Sequence, residues 1–338
     1  MNRAVHAASP NQRRIGRVDH RIHRYPCNIA FLEDDFPSAR AFPFHTFYYN
    51  RFVTRRELLA GGAACAATLW ARAHWDRSRI AAITDEIGAS ADEAADFARE
   101  NGLLCVEVRN LPGTNREYAT GREADIEAAA AHLNNEKVKV SVVDTSLLKF
   151  AWPDTQPLKG APDQARWDRR MDDLRKALRS AQIMGSDKLG IFAGARAADP
   201  ASLFPRTADA IAEMALEAEK QKVTLLLEND PATNVATSEE LAAVMKLVSS
   251  KWVGINWKPA PEGYALLPKR RILNVRVPAA SLDPGKPESI NWKSILVALD
   301  KDGYGGKIAL ETGIAGSAGI AVARDSLDQL VHIVREVS

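Results

Sequence analysis

Cysteine is scarce in this sequence, and long apolar runs are absent. The 338 residues include only three cysteines, Cys27, Cys65 and Cys105. Only Cys105 lies where strand and helix patterns are regular, so a disulfide within that region is excluded. Because residues 103–106 are apolar, Cys105 is predicted to be a small buried side chain rather than a reactive thiol. No apolar stretch approaches the roughly 20 residues of a membrane-spanning helix, so no stable membrane span is expected.

Histidine is also missing from the positions where a metal site would need it. Of seven histidines, four precede residue 53, one follows residue 73 and two fall in predicted helices: His6, His20, His23, His45, His74, His132 and His332. A His-rich site with several zinc ions is therefore not expected. Basic residues outnumber acidic ones by eleven to five in residues 1–73. The remainder has no basic stripe that could follow a phosphate backbone, so nucleic acid is not an expected partner.

Residues 53–73 have the order of an export signal. Arg55 and Arg56 belong to a short basic region, an apolar stretch rich in Ala and Gly follows, and residues 71–73 (ARA) offer a small-residue cleavage site. This order resembles a twin-arginine signal of bacteria. We expect cleavage after Ala73, a periplasmic mature part of residues 74–338, and the twin-arginine export machinery as a partner. The alternative is an Ala-rich helix packed on the domain.

Residues 1–52 show neither helical nor strand periodicity. They are rich in Arg, His and Pro, which is typical of unstructured chain. Because a signal normally starts within a few residues of the N-terminus, we expect either an unstructured extension or a start codon assigned too early. In the second case translation would begin near Val53.

From residue 79 onward, short β-rich runs alternate with longer amphipathic ones. This pattern predicts a parallel sheet with crossover helices. Eight units would close into a (β/α)8 TIM barrel, a fold of class α/β that needs roughly 250 residues. The alternative is an open doubly wound sheet, although no Gly-rich phosphate loop follows the first run. The predicted strands are residues 80–84, 105–109, 138–144, 188–192, 223–228, 253–256, 272–277 and 307–311.

Capping residues predict where several helices begin. Ser90 with Glu93, and Thr237 with Glu240, have the spacing of a capping box. Gly102 is placed to end the first of these helices. Residues 259–268 contain three prolines, so the crossover after the sixth strand is predicted to be a loop.

The ends of the predicted strands carry the candidate site, because the chemistry of such barrels lies there. We expect the catalytic side chains among Glu228, Lys258, Arg276 and Glu311, and contacts with a small-molecule substrate from six further residues. Two of these, Glu107 and Arg109, share a strand face and could instead pair with each other. Trp257 could stack on a sugar or simply pack in the core. The six are Glu107, Arg109, Asp144, Lys149, Asn229 and Trp257.

Several segments in this order resemble the xylose isomerase-like barrel family of sugar phosphate isomerases and epimerases. They are residues 80–88 (IAAITDEIG), 106–109 (VEVR), 227–229 (LEN), 302–306 (DGYGG) and 309–311 (ALE). The resemblance implies a (β/α)8 barrel and one divalent ion, such as Mg²⁺ or Mn²⁺. It also implies four ligands for that ion: Glu, Asp, His and Glu, after strands five to eight.

Only two of the four implied metal ligands are present, Glu228 and Glu311. Lys258 stands at the position of the Asp and Arg276 at that of the His. Our hypothesis is that these two cations replace the ion, either in a buried salt-bridge cluster or as a clamp for an anionic ligand. Without a Lewis acid, the metal-assisted hydride or proton shift of the family loses its means of polarising a carbonyl.

Three functions remain open from the sequence. The first is an isomerase or epimerase of a small carbohydrate or polyol, in which the carboxylates could still bind Mg²⁺ or Mn²⁺. The second is a non-catalytic protein that binds a carbohydrate or a partner. The third is a Schiff-base lyase or aldolase, which would require a depressed pKa at Lys258.

Overall fold

The computed structural model describes residues 75–338, which form an eight-stranded parallel barrel. Neighbouring strands follow the chain from β2 to β8, and β1 pairs with β8. A bridge between Ile83 and Glu107 joins β1 to β2, so the barrel is nearly closed. This confirms the predicted TIM barrel and excludes the open sheet. The strands are β1 Ile80–Ala82, β2 Cys105–Val108, β3 Lys139–Val143, β4 Lys188–Ile191, β5 Thr224–Glu228, β6 Val253–Trp257, β7 Ile272–Pro278 and β8 Lys307–Glu311.

Helices surround the strands, and their ends follow local sequence rules. Thr237 and Glu240 form the complete capping box that was predicted. Ser90 caps its helix as predicted, but the Glu93 carboxylate accepts from the Ala89 N–H, so that box is only half formed. The α-helices of residues 75–338 are α1 Thr84–Ile87, α2 Ala91–Glu100, α3 Glu123–Asn135, α4 Gln164–Met184, α5 Phe204–Lys220, α6 Ser238–Leu247, α7 Trp292–Lys301 and α8 Ser317–Val337.

The crossover between β6 and β7 contains two single 3-10 turns, Tyr264–Leu266 and Lys269–Arg271, and no α-helix. Proline lacks the N–H that a helix interior needs, which explains this break. The predicted loop is therefore confirmed. Across residues 75–338, no helix is both long and apolar enough to cross a membrane. The predicted extension, signal and cleavage site lie outside the described residues.

The main core lies between the strands and the helices, while the barrel interior is polar. Leu225, Leu227 and Ile255 pack in one cluster with helix residues such as Leu174 and Ile211. The residues that alternate with these along the same strands point into the barrel. These interior residues include buried polar groups and a small separate apolar cluster: Glu107, Asn256, Asn274, Arg276, Ala81, Cys105 and Ala309. Buried polar groups must find partners in the interior, and this requirement shapes the site.

Candidate functional site

Arg276 of β7 lies at the centre of the candidate site, at the end of the barrel where the strands terminate, which we call the mouth. It is 2% exposed and donates to Glu107 of β2, to both Asp144 oxygens at 2.9 and 3.0 Å, and to Glu228 of β5 at 3.2 Å. Burial alone would lower the pKa of Arg276, but these carboxylates raise it well above its ordinary value. The guanidinium is therefore a permanent cation shared by three strands.

Lys258 joins the two acidic residues that the family resemblance selected. Its Nζ lies 2.8 Å from Glu311 Oε2 and 3.5 Å from Glu228 Oε1. Burial lowers the pKa of Lys258, but the two carboxylates outweigh burial and the pKa is raised. Lys258 thus keeps its proton and occupies the space between Glu228 and Glu311.

The two glutamates have pKa values displaced in opposite directions. For Glu228, burial is the largest influence, and it raises the pKa despite the nearby Arg276 and Lys258. For Glu311, burial also acts to raise the pKa, but Arg276 and Lys258 lower it below its ordinary value. Glu311 is therefore the carboxyl that stays ionised, and Glu228 is the one that holds a proton more readily.

Two buried amides connect the carboxylates beneath Arg276. Asn256 Nδ2 donates to Glu228 at 2.6 Å, while Asn274 Nδ2 donates to Glu107 at 2.6 Å and to Asn256 Oδ1 at 3.0 Å. Glu107 is so buried that its pKa is raised well above its ordinary value, although Arg276 acts against this shift. Neither amide was predicted from the sequence as a site residue. The available signal was their position two residues before Lys258 and Arg276, on the same strand face.

Asn229 holds the backbone of Lys258 instead of facing the mouth freely. Its Nδ2 donates to the Lys258 carbonyl at 2.8 Å, and its Oδ1 accepts the Lys258 N–H at 2.9 Å. The predicted substrate contact is therefore a positioning contact between the ends of β5 and β6. Gly190 was missed as well: a Cβ there would lie 2.8 Å from Asp144 Oδ1. Only glycine leaves Asp144 its present approach to Arg276.

Arg109 lies at the edge of the mouth and pairs with residues that follow β1. Its guanidinium donates to Asp85 at 2.9 Å and to Glu86 at 2.9 Å. Burial acts to lower the pKa of Arg109, but these two carboxylates raise it above its ordinary value. The suggested pair between Glu107 and Arg109 is not formed, because Glu107 points to Arg276. Arg109 is thus held at the edge of the mouth.

A cavity of about 150 Å³ opens at the mouth. Lys149 stands on one side, where it pairs with Asp230 at 2.9 Å and lies 4.2 Å above the Phe192 ring. The cavity therefore offers hydrogen-bond donors, acceptors and one aromatic face to a small ligand. Its walls are Arg109, Asn110, Glu117, Asp144, Thr145, Ser146, Lys149, Phe192, Glu228, Asp230, Arg276 and Glu311.

Trp257 does not line this cavity, so its predicted role in sugar stacking is wrong. Its side chain is fully buried, donates from Nε1 to Ser238 Oγ at 3.0 Å, and packs 5.2 Å from the Tyr264 ring. Strand geometry explains the error. Asn256 and Lys258 point into the barrel, so Trp257 between them must point outward to the helices.

The donor set of the mouth does not fit a divalent metal ion. At two of the four implied ligand positions the side chain is a cation, Lys258 or Arg276. Lys258 also occupies the space between Glu228 and Glu311. Mg²⁺ or Mn²⁺ there would be repelled by the ammonium and by Arg276. Among residues 75–338, no group of three or more His, Cys, Asp or Glu side chains is placed to hold a metal. Mg²⁺ or Mn²⁺, the cofactor that the resemblance implies, therefore does not suit these side chains.

Comparison with solved structures shows that several other proteins share this barrel fold. The IolI protein, solved with a bound zinc atom, has a TM-score of 0.59 and 13% identity, covering 77% of this chain and 99% of that one. D-Psicose 3-epimerase from Clostridium cellulolyticum H10, solved with D-tagatose, has a TM-score of 0.55 and 13% identity, and the match covers 76% of this chain and 97% of that one. A xylose isomerase-like TIM barrel protein from Mycobacterium smegmatis, in complex with magnesium, has a TM-score of 0.54 and 16% identity, and the match covers 77% of this chain and 99% of that one.

These identities show a shared fold only, and no curated protein matches the sequence significantly. The sequence profile of the family described as "Xylose isomerase-like TIM barrel" matches residues 76–260, which is more than half of the chain. The chain therefore belongs to the xylose isomerase-like TIM barrel family.

Proposed function

We propose that this protein is a metal-independent isomerase or epimerase of a small carbohydrate, with Lys258 and Arg276 in place of the divalent ion. The observation that supports this most directly is the position of Lys258 Nζ, 2.8 Å from Glu311 and 3.5 Å from Glu228. Two carboxylates flanking a fixed cation provide proton acceptors and donors beside a group that stabilises negative charge.

The chemistry is a proton transfer at the carbon next to a carbonyl. Glu311 removes the proton as the C–H bond breaks, and the electron pair moves onto the carbonyl oxygen to form an enolate. Lys258 has three N–H donors, of which two face carboxylates, so one can stabilise that oxygen. Glu228 then returns a proton to the carbon. Delivery to the opposite face inverts the centre, and solvent exchange resets both carboxyls.

The mouth also suits a polyhydroxylated substrate. Lys149 and Arg109 can donate to hydroxyl oxygens, and Asp230 can accept from hydroxyl groups. Phe192 provides an apolar face for the C–H groups of a sugar. The cavity of about 150 Å³ favours a small carbohydrate. Epimerase chemistry on this fold is represented by the structurally similar D-psicose 3-epimerase.

Solvent deuterium exchange tests the proposal directly. The full chain, freed of metal with EDTA, is incubated in D₂O with D-tagatose and D-psicose, and label at the carbon beside the carbonyl is followed by NMR. We expect incorporation that Glu311→Gln reduces about 100-fold or more. Glu123→Gln, an exposed change on α3, is the matched control and should leave the rate unchanged. Exchange that requires added Mn²⁺ would contradict metal independence.

A second candidate is a barrel that binds a carbohydrate or another partner without turnover. It is favoured by the fact that Glu107, Glu228, Lys258, Arg276 and Glu311 already satisfy one another. A reaction would have to compete with these contacts. Stabilisation of the protein by a sugar in thermal unfolding, without deuterium incorporation, would support this candidate over the first.

The Schiff-base candidate gains no support from the geometry. A Schiff base requires a neutral amine, whereas Glu228 and Glu311 raise the pKa of Lys258 and keep it protonated. We expect borohydride treatment with keto sugars to leave Lys258 unmodified in peptide mass spectra. A trapped adduct on Lys258 would instead support a Schiff-base lyase or aldolase.

Export by the twin-arginine machinery also stands as a proposal, supported by residues 53–73 of the sequence. Expression in a bacterial host should place the protein in the periplasmic fraction with an N-terminus at His74. The double change Arg55→Lys and Arg56→Lys should retain it in the cytoplasm. Equal periplasmic amounts of both forms would contradict this route.

A further inference from the structure

A second cavity of the described residues lies at the end of the barrel opposite the mouth. Its volume is about 650 Å³, against about 150 Å³ at the mouth. Its walls include the first residues of five strands: Cys105, Lys139, Lys188, Ile272 and Lys307. We call it the basal pocket. It shares no lining residue with the mouth cavity, and its volume falls within the roughly 300–1,000 Å³ of small-molecule sites.

Small side chains inside the barrel explain why this space is open. Barrels of this class usually fill their interior with bulky branched residues. Here Ala81, Cys105 and Ala309 form the small interior cluster. The pocket therefore reaches Asn274, which is 1% exposed.

Asn274 presents an unused acceptor beside this pocket. Its Oδ1 is buried and receives no hydrogen bond within the described part of the chain. Its Nδ2 donates to Glu107 and Asn256, which fixes the orientation of the amide. A buried acceptor without a donor is destabilising. A ligand that donates one hydrogen bond at the end of the pocket would relieve this cost.

The charge of the basal pocket selects an anion. Three of its cations are engaged: Lys188 contacts Asp187 at 2.5 Å, Lys307 donates to the Ser78 carbonyl at 2.6 Å, and Lys269 lies 3.6 Å from the centre of the Tyr264 ring. Lys139 and Arg270 are exposed and have no ion-pair partner among residues 75–338. Six cations face two carboxylates in the lining: Lys137, Lys139, Lys188, Lys269, Arg270 and Lys307 against Asp187 and Asp302.

The walls between these charges are apolar, which indicates the rest of the ligand. Val140 and Leu273 line the pocket, and Leu104 is 56% exposed at its edge. We propose that the basal pocket is a second binding site, for an organic anion with an apolar body such as an aromatic sulfonate, carboxylate or phosphate ester.

The site can be tested with 8-anilinonaphthalene-1-sulfonate, whose fluorescence rises on binding to the folded full chain. We expect saturable binding that the double change Lys139→Glu and Arg270→Glu weakens about tenfold or more. The matched control is Lys159→Glu with Lys246→Glu, two exposed lysines outside the pocket. It should change the affinity less than twofold. Equal weakening by both pairs would show a response to net charge alone and overturn the proposal.

Two further measurements locate the probe and identify what is recognised. N-phenyl-1-naphthylamine, the uncharged analogue, should bind about tenfold more weakly because it lacks the sulfonate. Hydrogen exchange followed by mass spectrometry should show sulfonate-dependent protection in residues 137–142 and 269–274. Protection confined to residues 144–149 and 228–230 would place the probe at the mouth and refute a basal site. Neither result depends on catalysis, so the proposed isomerase function stands or falls separately.

Discussion

Arg276 and Glu107 form an ion pair inside the barrel, between β7 and β2, where they are 2% and 0% exposed. Removing two charges from water is costly, and this cost is recovered only when every partner is in place. Asp144 and Glu228 are further partners of Arg276, and Asn274 is a further partner of Glu107. The interior therefore depends on Arg276 both for its stability and for the charge at the mouth.

Replacing Arg276 by methionine should strongly destabilise the protein. The change keeps a long side chain but leaves buried carboxylates without their cation, and we expect the free energy of unfolding to fall by about 3–5 kcal/mol. Urea denaturation measures this loss. Arg324→Met removes an exposed pair with Glu100, separated by 3.9 Å, and should cost no more than about 1 kcal/mol. Similar losses for the two variants would contradict a special role for Arg276.

The raised pKa of Glu107 should make the barrel less stable as the pH rises. Its folded-state pKa lies well above the ordinary 4.5, so the folded protein binds this proton more tightly than the unfolded chain. That stabilisation is complete below pH 4.5 and is lost as pH rises through the folded-state pKa. Glu107→Gln does not titrate. Above pH 4.5 the free energy of unfolding of the wild type should therefore fall relative to that of Glu107→Gln, by at most about 1.4 kcal/mol per pH unit, until the pH passes the folded-state pKa of Glu107.

Glu311 provides the control of opposite sign. Its pKa is lowered from 4.5, so its stabilisation is present above pH 4.5 and is lost as pH falls through the folded-state value. Glu311→Gln should therefore be less stable than the wild type at pH 7, and the difference should shrink between pH 5 and 3. Urea midpoints measured from pH 3 to pH 8 follow both variants. Parallel pH curves for Glu107→Gln and the wild type would be incompatible with a raised pKa at Glu107.

Strand and helix positions could be predicted from sequence because local rules decide them. The eighth strand was predicted at residues 307–311 and is Lys307–Glu311, since an apolar run after a Gly-rich turn has few alternatives. The first strand was predicted to extend to Thr84, but it ends at Ala82 and Thr84 begins α1. Acidic side chains in the first turn favour that early helix start.

The positions of the site residues could be predicted from the sequence, but the residues that they contact could not. The strand-end rule together with the family resemblance selected Glu228, Lys258, Arg276 and Glu311, and the structure brings these four together. The contact of Arg276 with Asp144 could not be predicted, because it crosses the barrel between β7 and the end of β3 and depends on space left by Gly190. Such space arises only when all the strands are assembled. The basal pocket was missed for the same reason.

Gly190→Ala should disturb Asp144 and through it Arg276. The added Cβ would lie 2.8 Å from Asp144 Oδ1 and 3.4 Å from Asp144 Cα, so the carboxylate must move away from the guanidinium. We expect a loss of about 1–3 kcal/mol in the free energy of unfolding. Gly305→Ala is the matched control, because its Cβ would meet no atom within 4 Å. A loss at Gly190 no larger than at Gly305 would show that Asp144 tolerates the displacement.

Replacing Lys258 and Arg276 by the metal ligands that the family resemblance implies should create a metal site. The double variant Lys258→Asp and Arg276→His would restore the four ligands that the family resemblance implies, with Glu228 and Glu311 as the other two. Removing both cations also removes the repulsion that excludes a divalent ion from the mouth. We expect Mn²⁺ at about 100 times its dissociation constant to stabilise the variant by about 2.7 kcal/mol, and the wild type not at all.

Thermal unfolding with and without Mn²⁺, together with metal analysis after dialysis, would measure this gain. Lys258→Asp alone is the informative control, because Arg276 then still occupies the interior, 3.2 Å from Glu228. If the single variant binds Mn²⁺ as well as the double one, Arg276 is not what excludes the ion. If neither variant binds Mn²⁺, the side chains at the four strand ends are not close enough to act together as metal ligands. The hypothesis that two cations replace a metal ion at the mouth would then be wrong.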